Sequence, residues 1–195
     1  MEVFAGYSAL LPEEDKKKGT TDVYFIRHAE PNYENHNDEK RELTKRGLQS
    51  SEDLVEVFAP ISIDSFYSSP YKRAMDTIAP LATSKQKKIV LVDDFRERKL
   101  SDKWVEDFMG IVKKQWNDFT FKLPNGESLK EVQDRNVSSL HDIVHNSKDK
   151  TIVVGTHGTA LSTIIHYYVP SFGLERFIQY KNEFPWIVRF EFEGD

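Results

Sequence analysis

Two histidines, two arginines and a glutamate are spaced along this chain in a way that could move a phosphoryl group. His28 closes the segment Tyr24-Phe25-Ile26-Arg27-His28, with Arg27 beside it. Arg73 follows Ser68-Ser69-Pro70, Glu97 follows an apolar run ending near Val92, and His157 follows Thr151-Ile152-Val153-Val154-Gly155-Thr156. An unprotonated imidazole can attack phosphorus and carry the phosphoryl group covalently. Arginine suits the equatorial oxygens because its planar fork donates in pairs and stays charged. A carboxylic acid can deliver the proton that the leaving oxygen takes. With arginine and histidine supplying positive charge, this chemistry calls for no metal and no cofactor.

Each residue alone has an ordinary explanation. An Arg-His pair is usually a surface feature, and Arg73 would be a solvated helix residue. Glu97 lies in the charged run Asp93-Asp94-Phe95-Arg96-Glu97-Arg98-Lys99, which reads as an exposed loop. His157 could be a satisfied core histidine. Their joint placement at the ends of predicted strands favours the functional reading, because a charged pair closing a strongly apolar strand must be used or specifically paired.

The elements that would position them follow from pattern. Val23–Ile26 reads as a buried strand, and residues 31–42 as a loop. Thr44 is a plausible cap for a helix running towards Phe58. Asp64–Ser68 and Lys88–Val92 read as strands, with Pro70 fitting the first turn of the helix that carries Arg73. Ser101–Phe119 has apolar residues at helical spacing (Trp104, Phe108, Ile111, Val112, Trp116, Phe119), as does Glu127–His145. Thr151–Gly155 is a further buried strand, Gly158–Tyr168 a helix, and Trp186–Glu193 a final strand. Strands alternating with helices predict an α/β domain with a mostly parallel sheet, whose ligands bind beyond the carboxyl ends of the strands. Trp104, Phe108 and Trp116 are expected mainly to pack their helix, with that segment bordering the pocket mouth.

The bulk numbers set bounds. The 195 residues suit one domain with a sizeable core. Residues 1–21 read as an N-terminal arm, charged and solvated, though Val3, Phe4, Tyr7, Leu10 and Leu11 could dock; 22–195 reads as a single domain. A net charge of -5 argues against nucleic-acid binding through a basic surface, yet permits a basic pocket in an acidic shell. The absence of cysteine excludes disulfides and thiolate chemistry. No apolar run is long enough to span a membrane and no signal peptide is recognisable, so no membrane partner and a cytoplasmic setting are expected. Oligomeric state stays open.

The blocks themselves resemble a known family. Ile26-Arg27-His28-Ala29-Glu30 resembles the R-H-G-E signature of the histidine phosphatase superfamily, in its phosphoglycerate-mutase-like branch. Leu43-Thr44-x-x-Gly47, Ser68-Ser69-Pro70-Tyr71-Lys72-Arg73-Ala74-Met75-Asp76-Thr77, Glu97-Arg98, Asn125-Gly126-Glu127-Ser128-Leu129 with Arg135, and Thr156-His157-Gly158 resemble further blocks of that family, in family order. The resemblance implies a three-layer α/β/α sandwich. It implies His28 as the phosphorylated nucleophile, Arg27, Arg73 and His157 as the phosphate pocket, and Glu97 as general acid and then base. It implies a substrate contact for Arg98 and a supporting place for Glu30.

There are departures. Ala29 replaces glycine, Pro31 replaces threonine, and Ser101 and Thr159 replace glycines. The family's pocket asparagine falls out of register at Glu34, so Asn35 or Asn32 is expected to reach the pocket instead. Three functions compete: a metal-independent phosphatase on a small phosphorylated metabolite, a phosphoglycerate mutase using the same phosphohistidine, and a non-hydrolytic binding module. The intact set His28, Arg27, Arg73, Glu97 and His157 argues against the third. Mutases of this kind have extra segments that close the site against water, and this chain has fewer residues for that, which favours the phosphatase.

Overall fold

The computed structural model describes residues 2–4 and 19–193. Among these residues six strands, β1 (Glu2–Phe4), β2 (Thr20–Arg27), β3 (Ser65–Ser68), β4 (Ile89–Leu91), β5 (Thr151–Thr156) and β6 (Trp186–Glu193), form one sheet in the order β1-β6-β2-β5-β3-β4. β2, β5, β3 and β4 run parallel, while β6 pairs antiparallel with β2 and β1 antiparallel with β6. The segment expected to be an arm therefore supplies an edge strand at Glu2–Phe4; the remaining arm residues named above, Tyr7, Leu10 and Leu11, lie outside the described residues.

Among the described residues six α-helices cover the sheet: α1 (Lys45–Val57), α2 (Lys72–Ser84), α3 (Phe108–Asn117), α4 (Leu129–His145), α5 (Gly158–Tyr168) and α6 (Leu174–Tyr180). The apolar run in β2 explains the layering. Val23 and Phe25 join the core formed with Leu140 and Ile143 of α4, Leu161 and Ile164 of α5 and Phe177 of α6. Tyr24 and Ile26 point the other way, to Leu54 of α1 and Ile78 and Leu81 of α2. A strand buried on both faces reads as continuous hydrophobicity rather than alternation. The result is the expected α/β fold, helices flanking a mostly parallel sheet.

The helix starts are locally encoded. The Thr44 hydroxyl accepts from the Gly47 amide at 3.0 Å, and Ser128 and Glu131 form a reciprocal capping box at the start of α4. Two expectations shift. The helix anticipated over Ser101–Phe119 begins only at Phe108, because Asp107 caps it by accepting from Gly110 N at 2.9 Å, while Ser101 closes a tight turn onto Lys103. α2 begins after Tyr71, so Pro70 precedes the helix rather than occupying its first turn. α6 was not apparent in the sequence.

Candidate active site

Strand register brings the site together. In the parallel ladder Arg27 of β2 stands opposite Thr156 of β5, and Ser68 of β3 opposite Gly155. The next residues along, His28, His157 and Ser69, therefore emerge side by side at the carboxyl edge of the sheet. The His28 and His157 ring centroids are 5.4 Å apart, and His157 Nε2 lies 2.7 Å from the Ser69 hydroxyl. A cavity of about 970 Å³ opens over this edge, lined by Arg27, His28, Arg73, Glu97 and Arg98 among others. Its size is that of a small-molecule site.

His28 is oriented by its own backbone. Its Nδ1 sits 2.8 Å from the Ala29 carbonyl oxygen, which can only accept. Nδ1 therefore carries the proton and, in the neutral ring, Nε2 carries the lone pair. The Phe184 ring stacks on the imidazole at 5.7 Å. Burial, followed by the charges of Arg73 and Arg27, depresses the His28 pKa well below its ordinary value, against an opposing contribution from the Ala29 hydrogen bond. Burial likewise depresses His157, with Arg73 adding to the effect. Both rings are thus held neutral, as a nucleophile requires. His157 Nδ1 is buried without a hydrogen-bond partner among the described residues.

The arginines are held by different devices. Arg27 Nη1 donates to the carbonyls of Tyr180, Lys181 and Glu183 at 3.1, 2.8 and 3.2 Å, and its guanidinium lies 4.0 Å from the centre of the Phe184 ring. α6 and its exit loop thus serve as the anchor for Arg27. Gly158 leaves room beside it, since a Cβ there would press on Arg27 Cζ and Nε at 3.0 Å. Arg73, 2% exposed, reaches Asp38, donating through Nη1 to its carbonyl and through Nη2 to its carboxylate at 3.0 Å. Arg98 pairs with Gln115 through Nη1 and sits against Phe108.

Glu97 rests on the start of α5. Its Oε1 accepts from the amides of Arg98 (2.8 Å) and Ala160 (3.1 Å), and its Oε2 from Thr159 (3.1 Å). A helix N-terminus offers such unpaired amides. The Glu97 loop is itself braced from α4: Arg135 donates to the carbonyls of Asp94 and Arg96 and also pairs with Glu127, which accepts from the Lys99 amide at 2.9 Å. The Glu127 and Arg135 block thus supports the segment that bears Glu97.

Not every expected residue reaches the cavity. The side-chain amides of Asn32 and Asn35 each donate to the Glu42 carboxylate at 2.7 Å, holding its pKa down at about 2. Neither asparagine lines the cavity. They shape the loop instead. Glu30 accepts from Thr44 at 2.7 Å, tying β2's exit to the start of α1. Trp116 packs among Phe172, Phe177 and His166, whereas Trp104 is 62% exposed and stacks on His36 at 4.3 Å on the cavity rim. Sequence reasoning passed over Arg41, Asp38 and His36, which all line the cavity. They belong to a loop without periodicity, where no signal marks one charge above its neighbours. Among the described residues no group of three or more His, Asp or Glu side chains could hold a metal ion, and no helix is long and apolar enough to cross a membrane.

A sheet edge presenting paired histidines, flanking arginines and a glutamate on a helix N-terminus has the groups that phosphoryl transfer calls for. The chain belongs to the histidine phosphatase superfamily (branch 1), which its sequence matches over residues 23–195. It is 25% identical over 189 residues to a candidate phosphoserine phosphatase of Hydrogenobacter thermophilus, covering 89% of this chain and 90% of that one. It is 29% identical over 168 residues to phosphoglycerate mutase-like protein 4 of Arabidopsis thaliana, covering 77% and 72%. Among solved structures, mycobacterial glucosyl-3-phosphoglycerate phosphatase superposes with a TM-score of 0.67 at 20% identity, over 77% of this chain and 80% of that one. Phosphoserine phosphatase of Entamoeba histolytica superposes with a TM-score of 0.65 at 24% identity, over the same shares. These likenesses carry the fold.

Proposed function

We propose that this protein is a metal-independent phosphatase that hydrolyses a small phosphorylated metabolite through a phosphohistidine on His28. The observation that carries the reading is the His28 imidazole itself: its Nδ1 proton is fixed on the Ala29 carbonyl, its ring is kept neutral, and it lines a cavity that Arg27 and Arg73 also line. In the first step His28 Nε2 attacks phosphorus while the ester P–O bond breaks. The leaving oxygen takes a proton from Glu97, and arginine forks hold the phosphoryl oxygens. In the second step water attacks phosphorus, Glu97 takes its proton, the P–N bond breaks, and neutral His28 is restored. Glu97 Oε2 accepts a single amide, so it is the oxygen with room for that proton. Arg27, Arg73 and positively charged neighbours supply the charge that a metal would otherwise bring. Arg98, lining the same cavity, contacts the rest of the substrate.

A phosphoglycerate mutase would use the same intermediate, and the Arabidopsis relative's name keeps that alternative in view. A mutase must keep water from the phosphohistidine. Here the cavity rim carries Tyr33 and Trp104, 53% and 62% exposed, which favours access over closure. The names of several relatives point to phosphorylated carboxylic acids as substrates worth testing first. The test is turnover of an aryl phosphate and a panel of phosphorylated metabolites, with hydrolysis and mutase readouts side by side and excess chelator present. Wild type should hydrolyse with chelator, and His28→Ala should not turn over at all. Activity surviving in purified His28→Ala, or lost to the chelator and restored by a divalent ion, would overturn the reading.

A further inference from the structure

The loop before α1 brings one more arginine to the cavity. Arg41 is only 7% exposed, and its Nε donates to the Asn35 carbonyl at 2.7 Å, which fixes the guanidinium plane. Its Nη1 lies 3.1 Å from Asp38 Oδ1. That same oxygen is 3.0 Å from Arg73 Nη2. One carboxylate oxygen therefore sits between two guanidinium groups on the cavity wall. Arg73 also donates through Nη1 to the Asp38 carbonyl, so both of its terminal nitrogens are engaged by this one residue. Arg73 Nε has no partner among the described residues, but the position that its Nη2 shares with Arg41 Nη1 is open to a phosphoryl oxygen only if the Asp38 carboxylate gives way. When it does, Arg41 presents Nη1 to the same point. Its charge already reaches the nucleophile, being among those that depress His28.

We propose that Arg41 is a substrate-binding residue that clamps a phosphoryl oxygen jointly with Arg73, and that the Asp38 carboxylate occupies that clamp as an internal competitor which the substrate displaces. This deepens the phosphatase reading and rests on it. Two close guanidinium groups repel one another unless an anion lies between them, and a buried charge is tolerated only when paired. Asp38 meets that need with one oxygen. A phosphate dianion offers more oxygens and more charge, and arginine forks match it in pairs. The displaced carboxylate has somewhere to go, since the Asp38 side chain is 43% exposed.

The test uses inorganic phosphate as the probe, by calorimetric titration, with aryl phosphate kinetics alongside. Arg41→Ala should weaken phosphate binding by about tenfold or more, the range for losing one charge-assisted hydrogen bond, and should raise KM. Arg41→Lys, which keeps the charge and loses the fork, should fall between Arg41→Ala and wild type; it also serves if the alanine variant folds poorly. Asp38→Asn should tighten phosphate binding, and this gain should shrink in the Arg41→Ala background because the two residues act on one position. Phosphate affinity unchanged in both Arg41 variants, weaker binding in Asp38→Asn, or a gain undiminished in the double variant would each overturn the proposal. If wild type turns over aryl phosphate and Arg41→Ala matches it, only this inference falls. If wild type neither binds phosphate nor turns over ester, the phosphatase reading falls and takes the inference with it.

Discussion

A neutral imidazole carries a proton on one nitrogen and a lone pair on the other, and a single backbone carbonyl decides which for His28. Burial and two arginines then remove the competing protonated form. In the proposed reaction the same arginines bind the phosphoryl oxygens, so one set of charges would prepare the nucleophile and stabilise the transferring group. In that reaction Glu97 is harder to replace, because it would hold a proton at one stage and take one at the next. Glu97→Gln keeps a side-chain oxygen for the α5 amides but can neither give nor accept that proton. Esters with poor leaving groups should lose about 10²–10⁴-fold in kcat, the range for a missing general acid, while an activated aryl phosphate should lose far less in the phosphorylation step. Single-turnover rates on an alkyl and an aryl phosphate check this. Equal losses on both would place Glu97 outside the acid role.

At the scale of elements, strand ends and helix starts meet in pairs, and the clearest case is β5 running through His157 into α5. Gly158 is helical and in ordinary backbone geometry, so alanine there costs the chain nothing locally and improves helix propensity. Its Cβ would nonetheless press on Arg27 Cζ and Nε at 3.0 Å, and Arg27 is pinned by three carbonyls and the Phe184 ring. Gly158→Ala should therefore keep its thermal stability within a few degrees while KM for an aryl phosphate rises by about tenfold, the order expected for disturbing one charged hydrogen-bond donor. A matched fall in stability, with KM unchanged, would refute the argument. The strands that set up this junction are legible in the sequence, though their register is not: Val23–Ile26 and Thr151–Gly155 are apolar enough to be buried strands, and a histidine lies just beyond each. The cap at Thr44 was legible for the same local reason, whereas the capping box at Ser128 emerges only in the structure. What was not legible depends on tertiary packing. Trp104 keeps helical spacing with Phe108, yet Asp107 starts the helix after it and His36 stacks on it from another loop. Asn35 had the chemistry for a phosphate ligand, but Glu42 lay nearer. The antiparallel direction of β6 left no trace in its alternating pattern.

For the whole molecule, a site built into the main core ties function to stability. His28 and His157 are both buried, and burial is the leading cause of both depressed pKa values. The unfolded chain lets each imidazole protonate near its ordinary value of about 6.5. Below that pH the unfolded state binds protons that the folded state refuses, so stability is full above about 6.5 and falls as pH drops towards the folded pKa values. Each histidine contributes a slope of up to about 1.4 kcal/mol per pH unit, so the pair contributes up to about 3 kcal/mol. For a domain of this size that corresponds to roughly 5–10 °C in Tm per pH unit. Glu42, with its carboxyl held at about 2 by Asn35 and Asn32, loses its contribution only below the ordinary carboxylate range. The window from pH 6.5 to 5 therefore belongs mainly to the histidines. Thermal unfolding across it, in buffers free of phosphate so that no ligand shifts the equilibrium, should show Tm falling steadily. In His28→Gln the slope should be about half as steep, whatever that variant's stability at pH 7, because one of the two linked protons is gone. A slope identical in wild type and His28→Gln would mean that the nucleophile takes its proton in the folded state, and the neutral imidazole on which the phosphohistidine depends would have to be abandoned.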